Sequence, residues 1–199
     1  MSNLICVMKN YLLALLLVFY SSYLFSQRTF EITDVRDDQV YTAIEFEIPL
    51  EGGVSIKKAF LAENMNYKTE DSFCYKNVPA YCEKYGRLYT EKSALEACPD
   101  GWRLATRDEW FYLISTYGGI NEAGKELQVG GKSGFNLLLA GFGYSGGKFT
   151  KIGQEGVYWD IPDVGEPPHG VMVVDRDQTH VHYGGHENKY SNSVRCIRE

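Results

Sequence analysis

The placement of the cysteines is the feature that most constrains how this chain can fold. Of its five cysteines, one stands in an apolar N-terminal segment, at Cys6. The other four follow much later, at Cys74, Cys82, Cys98 and Cys196. An even number of cysteines in an exported chain predicts disulfide bonds, whereas the same number in a cytosolic protein would suggest a metal site.

The N-terminal segment predicts export. Lys9 provides a weakly positive start, residues 11–19 form an apolar stretch, and residues 21–26 lead out of it with small side chains. The apolar stretch is shorter than the roughly 20 residues that a membrane-spanning helix needs. We therefore expect residues 1–26 to be a cleaved signal peptide and residues 27–199 to form one domain. An uncleaved N-terminal anchor is the alternative.

Four cysteines allow three pairings. Cys74 and Cys82 are separated by seven residues that include an Asn and a Pro, which suits a short loop closure. That pair leaves Cys98 with Cys196, a link across about 100 residues that would remove about 4.7 kcal/mol of freedom from the denatured chain. Four free buried thiols are the alternative.

The charge balance bounds the partners of the domain. The chain has 20 Lys and Arg against 26 Asp and Glu, a net charge of −6. Such a surface repels nucleic acid and anionic lipid, and the largest basic cluster is only Lys57-Lys58. We expect no nucleic-acid partner and no membrane contact beyond the export signal.

Periodicity predicts both strands and helices in the first half of the domain. Residues 39–48 alternate at period two, which predicts a half-buried strand. The face expected to be buried comprises Val40, Thr42, Ile44, Phe46 and Ile48. Residues 90–98 predict a short helix with Leu95 facing inward, and Thr106 with Glu109 forms a capping box that begins a second helix.

The second half of the domain is rich in glycine. Aromatic residues interrupt the glycines of residues 130–156, which indicates ordered loops rather than disorder, with Phe135 and Trp159 pinning loops to a core. Three strands are predicted at residues 170–174, 179–183 and 193–197, the first two joined as a hairpin. The chain therefore predicts a single α+β domain.

An ordered set of motifs carries a family resemblance. The motifs are Ala62-Glu63-Asn64-Met65-Asn66-Tyr67, Cys74-Tyr75, Tyr85-Gly86-Arg87-Leu88-Tyr89, Cys98-Pro99-Asp100-Gly101-Trp102-Arg103 and Ser193-Val194-Arg195-Cys196. Over about residues 30–199 this set resembles the Fibrobacter succinogenes major paralogous domain, a bacterial extracellular family without an established common activity. The resemblance implies a C-type-lectin-like fold, with two helices packed on small antiparallel sheets, long glycine-rich loops and a closing bridge of the Cys98–Cys196 kind.

The histidines raise a metal hypothesis. His180 and His182 share one face of a predicted strand, and His186 follows four residues later. A fourth ligand would come from His169, Asp160 or Asp163. The alternative is a solvent-facing strand with Val181 turned inward. A calcium site at Asp160, Asp163 and Glu166 is disfavoured, because the lectin sugar-site motif does not match residue by residue.

The sequence shows no paired-carboxylate signature and no phosphate loop. We therefore expect a protein that is not an enzyme, with no catalytic residues and no cofactor. The expected ligand face lies in the C-terminal half, where aromatic and polar side chains suited to interfaces accumulate. Its residues are Tyr144, Asp160, Asp163, His180, His182, Tyr183 and Asn188.

Together these patterns predict an exported protein of recognition or surface assembly, located in the periplasm, on the cell surface or in the medium. Its expected partner is an extracellular protein or a glycan. Two alternatives stay open: a metal-assisted enzyme or metal-binding protein that uses the His180, His182 and His186 face, and a purely structural surface protein.

Overall fold

The structure is a computed structural model that describes residues 28–49, 54–144, 147–164, 167–168, 170–176, 179–186 and 189–198. The predicted signal peptide, Glu166, His169 and Asn188 lie outside these residues. No helix within them is long and apolar enough to cross a membrane.

Strands predominate, and short helices lie among them. The strands are β1 (Thr29–Asp34), β2 (Gln39–Pro49), β3 (Ser55–Leu61), β4 (Ser72–Phe73), β5 (Leu88–Thr90), β6 (Arg103–Leu104), β7 (Phe142–Tyr144), β8 (Lys148–Thr150), β9 (Glu155–Asp160), β10 (Gly170–Asp175), β11 (Val181–Gly185), β12 (Tyr190–Asn192) and β13 (Cys196–Arg198). The α-helices are α1 (Pro79–Tyr85), α2 (Glu91–Ala94), α3 (Arg107–Thr116) and α4 (Ala123–Leu127). The predicted α+β class is therefore confirmed in this coarse form.

The strands form three antiparallel sheets. The first has the order β1-β2-β3-β13-β6, the second β11-β10-β9 and the third β4-β5-β12-β7-β8. The C-terminal strand β13 lies between β3 and β6, with Ile197 opposite both Phe60 and Arg103. Insertion of the last strand into the middle of the first sheet joins the two ends of the domain.

The two disulfides are those expected from the spacing of the four cysteines. Cys74 is bonded to Cys82 and Cys98 to Cys196. The first closes the turn that leads into α1, and the second joins the end of the α2 region to β13. Because such bonds persist in oxidising compartments, they indicate an extracellular environment.

Strand β2 is buried more completely than its alternation predicts. Ile44, Phe46 and Ile48 are buried as expected, but Tyr41 and Ala43 on the opposite face are buried as well. Two separate core clusters cover the two faces of the first sheet here, one containing Tyr41 and the other Phe46. Val40 was expected to be buried but is 57% exposed, because the core clusters do not extend to the start of the strand.

The first predicted helix is shorter than expected, and its inward residue differs. Helix α2 ends at Ala94, after which the Glu96 and Ala97 amides donate to carbonyls three residues back. This tighter winding turns Ala97 into the core, so Leu95, expected inward, is 52% exposed. Helices α1 and α4 were not predicted, since each is under two full turns and has little periodicity to detect.

The second predicted helix is confirmed as α3. The Thr106 hydroxyl accepts a hydrogen bond from the Glu109 amide at 3.2 Å, and the Glu109 carboxylate accepts one from the Thr106 amide at 2.8 Å. Trp110, Leu113 and Ile114 are buried by this helix. Trp110 meets Phe60, Phe135 and Tyr158 in an aromatic cluster, with ring centroids within 6 Å of Trp110 in each pair.

Of the strand predicted at residues 193–197, only the last two residues lie in a strand, which is β13. β12 ends at Asn192 and β13 begins at Cys196, and the chain crosses between the sheets in the three residues between them. Arg195 lies in this crossing and is fully buried. Its guanidinium group donates to Asn64 Oδ1 and to the carbonyl oxygens of Leu61, Phe135 and Asn136, at 2.8 to 3.0 Å.

The two disulfides should differ in their effect on stability. In the loop-entropy relation, closure across a sequence separation of 98 restricts the denatured chain by about 2 kcal/mol more than closure across 8. We expect the Cys98→Ala/Cys196→Ala double variant to lose roughly 2–5 kcal/mol of unfolding free energy, and the Cys74→Ala/Cys82→Ala double variant to lose less. Urea denaturation of both measures this, and a reversed order would contradict it.

The capping box gives a second prediction. Thr106→Ala removes the side-chain acceptor of the Glu109 amide and should cost about 1 kcal/mol of unfolding free energy. Thr106→Ser keeps the hydroxyl and is the matched control, expected to lose far less. Equal losses in the two variants, measured by urea denaturation, would show that the cap hydrogen bond is not what stabilises the start of α3.

Candidate functional site

The structure separates the predicted ligand face into several places. Tyr144 lies on β7 in the third sheet, paired with Tyr190, whereas Tyr183 lies on β11 in the second sheet. Asp163 is exposed in the segment that follows β9. The expectation that Asp160 is exposed is wrong, because its side chain is fully buried.

A cleft of about 560 Å³ lies where the second sheet meets α3. The start of α3, the segment after β9, the start of β10 and the end of β11 contribute its walls. Its described lining consists of Arg107, Asp108, Pro162, Gly170, Tyr183, Gly184 and Gly185. Segments far apart in sequence therefore form one concave surface of mixed polar and apolar character.

The strand end and the helix start are held together by main-chain hydrogen bonds. The Arg107 amide donates to the Ile161 carbonyl at 3.0 Å, and the Ile161 amide donates to the Ala105 carbonyl at 3.2 Å. These two bonds place the first residue of α3 beside the last residue of β9. Arg107 and Asp160 thus meet because of the backbone, not because of their sequence spacing.

Arg107 and Asp160 form a half-buried ion pair at one wall of the cleft. Arg107 Nη2 lies 3.1 Å from Asp160 Oδ1, and the Arg107 side chain is 50% exposed while that of Asp160 is 0% exposed. Burial raises the pKa of Asp160, and the hydrogen bond from Arg107 only partly offsets it. Asp160 therefore holds Arg107 in position and does not itself offer a surface for contact.

Gly170 is required by this ion pair. A Cβ atom at position 170 would lie 1.8 Å from Arg107 Nη2 and 2.1 Å from Asp160 Oδ1. Any side chain there would displace the guanidinium group or the carboxylate. The glycine that begins β10 was predicted only as a strand end, and its contact with the ion pair depends on the tertiary fold.

Tyr183 also lines the cleft. Its hydroxyl is buried and has no hydrogen-bond partner among the described residues. The Arg107 guanidinium carbon lies 5.8 Å from the centre of its ring. Burial and the nearby Asp160 carboxylate raise the pKa of Tyr183 well above its ordinary value, so the group stays a neutral hydroxyl.

The outer edge of β11 also faces the cleft. The Val181 amide donates to Ile120 at 2.7 Å, away from β10, so Val181 presents its main-chain groups to the outer edge. Because the groups of an antiparallel strand alternate between its two edges, the N–H and C=O of Tyr183 and Gly185 point the same way. Gly184 and Gly185 carry no side chains that would cover this edge.

The predicted three-histidine face is not formed. His186 stacks on Tyr190 with ring centroids 4.1 Å apart, and its Nδ1 lies 3.0 Å from Asn192 Oδ1. Burial lowers the pKa of His186. His186 is not among the side chains whose possible ligand atoms come together near His182. The pair His180 and His182 instead lies near Asp175.

Sequence reasoning missed Arg107, Asp108 and Asp175. Arg107 and Asp108 lie inside the capping box, which was interpreted only as the start of a helix. Asp175 ends β10, at the turn of the predicted hairpin. Since residues that flank a hairpin turn face each other, its position opposite the histidines was available from the sequence.

The described lining of the cleft carries few ionisable side chains. Asp108 contributes an exposed carboxylate, and no Ser, Thr, Cys, His or Lys side chain is present among the described lining residues. Arg107 forms an ion pair with Asp160, and the raised pKa of Tyr183 makes it a weak acid. The arrangement offers hydrogen-bond donors and acceptors in fixed positions, which is what recognition of a polar partner needs.

The family model described as the Fibrobacter succinogenes major domain matches residues 47–198. The chain belongs to this family. No match was found among the curated proteins or among the solved structures. The match includes β13, which completes the first sheet, and every described residue of the cleft.

Glu109 fixes the helix that carries Arg107. Its Oε1 accepts hydrogen bonds from Lys58 at 2.6 Å and Arg103 at 2.7 Å, and its Oε2 accepts from the Thr106 amide at 2.8 Å. Burial alone would raise its pKa, but the hydrogen bonds from Arg103 and Lys58 outweigh it. The pKa of Glu109 falls from its ordinary 4.5 to about 2.

This pKa predicts the acid behaviour of the protein. A carboxylate whose folded pKa lies below its unfolded value stabilises the fold above pH 4.5, and that contribution is lost as the pH falls through about 2. The shift corresponds to about 3 kcal/mol. The gap in unfolding free energy between wild type and Glu109→Gln should therefore shrink by that order between about pH 6 and pH 2.

Urea denaturation at several pH values measures this gap. Asp160 contributes to the pH dependence with the opposite sign, because its raised pKa makes its ionisation unfavourable for folding. Since Asp160 is present in both proteins, its contribution cancels in the comparison. Parallel stability profiles for wild type and Glu109→Gln would contradict the assigned role of the carboxylate.

Proposed function

We propose that this protein is an exported, non-enzymatic recognition protein that binds a partner outside the cytoplasm through the cleft between α3 and β11. The two disulfides and the family support an extracytoplasmic location. We also propose that the fold is C-type-lectin-like. Support comes from the C-terminal strand within the first sheet and from the Cys98–Cys196 bridge that ties it to the first half of the domain.

The observation that carries the proposal is the Tyr183 hydroxyl. A buried hydroxyl without a partner costs about 1–3 kcal/mol relative to a satisfied one. A ligand that enters the cleft and hydrogen-bonds to it recovers that free energy. Because the hydroxyl has no partner among the described residues, binding would break no protein hydrogen bond there.

The outer edge of β11, along which no other described strand pairs, favours a polypeptide over a glycan. The main-chain groups of Tyr183 and Gly185 repeat at the spacing of a neighbouring strand, so an extended peptide would pair with both. Arg107 is half exposed, and the exposed Asp108 lies beside it. Side chains of either charge on the bound segment would therefore find an opposite charge at the mouth of the cleft.

Two single hydroxyl deletions test the proposal. Tyr183→Phe removes the hydroxyl alone, and Tyr144→Phe makes the same change on the third sheet, outside the cleft. The exported form of the chain is screened against a random peptide display library and a glycan array. The probes selected with the wild type are then measured on both variants by calorimetry.

We expect selected peptides to bind Tyr183→Phe at least tenfold more weakly than wild type, while Tyr144→Phe binds normally. The unfolding free energy of Tyr183→Phe should not fall, because the lost hydroxyl makes no hydrogen bond to the described residues. If only glycans bind, and Tyr183→Phe lowers the affinity for them, the cleft is the binding site but the polypeptide assignment is wrong. If Tyr144→Phe is the variant that weakens binding, the site lies on the third sheet.

A further inference from the structure

A second cluster lies at the hairpin turn between β10 and β11. Asp175 ends β10, His182 lies on β11, and His180 comes just before that strand. One ligand atom from each side chain lies within 4.8 Å of the other two. His182 Nδ1 is 3.7 Å from Asp175 Oδ2, and the two imidazole rings are 5.8 Å apart at an angle of 37°.

Strand geometry explains why the three side chains meet. Val173 faces His182 across the ladder and Val174 faces Val181, so the next position of β10, Asp175, lies opposite His180. Residues two apart on a strand share a face, and so do residues directly opposite each other. Val181, between the histidines, points the other way and is buried.

The main chain under the cluster is anchored on both strands. The Gly124 amide donates to the Thr179 carbonyl and the Val181 amide to the Ile120 carbonyl, both at 2.7 Å, which ties the histidine strand to the α3–α4 connection. The side-chain amide of Gln128 donates to the Asp175 carbonyl at 2.9 Å. The ligand side chains thus project from main chain that is anchored at Asp175, Thr179 and Val181.

Gly124 shows how closely this hairpin packs. A Cβ atom at position 124 would lie 2.7 Å from the carbonyl oxygens of both Thr179 and His180. Only a glycine allows α4 to approach the histidine strand this closely. The contact holds the His180 backbone in place, whereas its imidazole is left half exposed.

Two imidazoles and one carboxylate form the ligand set of a divalent transition-metal site with an open position. In a tetrahedral zinc site with bonds of about 2.0–2.1 Å, ligand atoms are separated by about 3.3 Å. The ligand atoms of Asp175, His180 and His182 need only small side-chain rotations to reach that spacing. Such rotations have room, because His182 is exposed and His180 is half exposed. Glu155, opposite Asp175 on β9, adds a negative charge that Lys151 partly balances at 2.7 Å.

We propose that Asp175, His180 and His182 bind one zinc ion, with the remaining coordination position open to water. Such an ion would link the two strands of the hairpin next to its turn. The site uses the face of β11 opposite to Val181 and Tyr183. It is therefore independent of the proposed recognition cleft, and either can fail without the other.

Zinc chloride titrated into untagged, metal-free protein tests the site, with a chromophoric chelator as competitor. We expect one zinc ion per chain. His180→Gln/His182→Gln and Asp175→Asn should each bind at least tenfold more weakly. His186→Gln is the matched control, because it also removes an imidazole from the same segment but outside the cluster, and it should bind zinc as wild type does.

Equal zinc affinity of wild type and His180→Gln/His182→Gln would overturn the proposal, as would loss of zinc binding in His186→Gln. Should the double variant fail to fold, the imidazole resonances of the wild type decide the question. Zinc must then shift the resonances of His180 and His182 and leave those of His186 unchanged. A shift confined to other histidines overturns the site.

Discussion

The buried guanidinium group of Arg195 is the contact on which the arrangement of the domain depends. A fully buried charge is tolerated only when its hydrogen-bonding capacity is used, and Arg195 donates to four oxygen atoms from two separate segments of the chain. It also lies 4.8 Å from the centre of the Phe135 ring. Burial lowers the pKa of Arg195, yet no ordinary pH removes its charge. The segments that supply the oxygens must therefore converge on this point for the protein to fold.

That convergence determines where the cleft can form. With Arg195 fixed, the chain on its N-terminal side pairs with β9 through the bridge between Tyr158 and Ser193, and the chain on its other side enters the first sheet as β13. β9 in turn carries Asp160 to the start of α3. The ion pair at the cleft wall is thus the far end of a continuous series of main-chain contacts that begins at the C-terminal strand.

The features that the sequence predicts best are those that depend on residues close together in the chain. The capping box at Thr106 and the closure of Cys74 with Cys82 are encoded within a few residues, and both are present. The burial of Asp160 could not be predicted, because it results from a cation contributed by a helix 53 residues earlier. Val40 and Leu95 failed for a related reason: periodicity identifies a face but not how far the covering core extends.

The two proposals use opposite faces of one short strand, and this follows from the alternation of β11. Val181 and Tyr183 pack in the core cluster that contains Phe46, whereas His180 and His182 project from the other side. The cleft proposal depends on main-chain groups at the outer edge and on one buried hydroxyl, while the zinc proposal depends on side chains at the hairpin turn. Neither proposal uses a side chain of the other, so the two sites rest on separate observations although they share one strand.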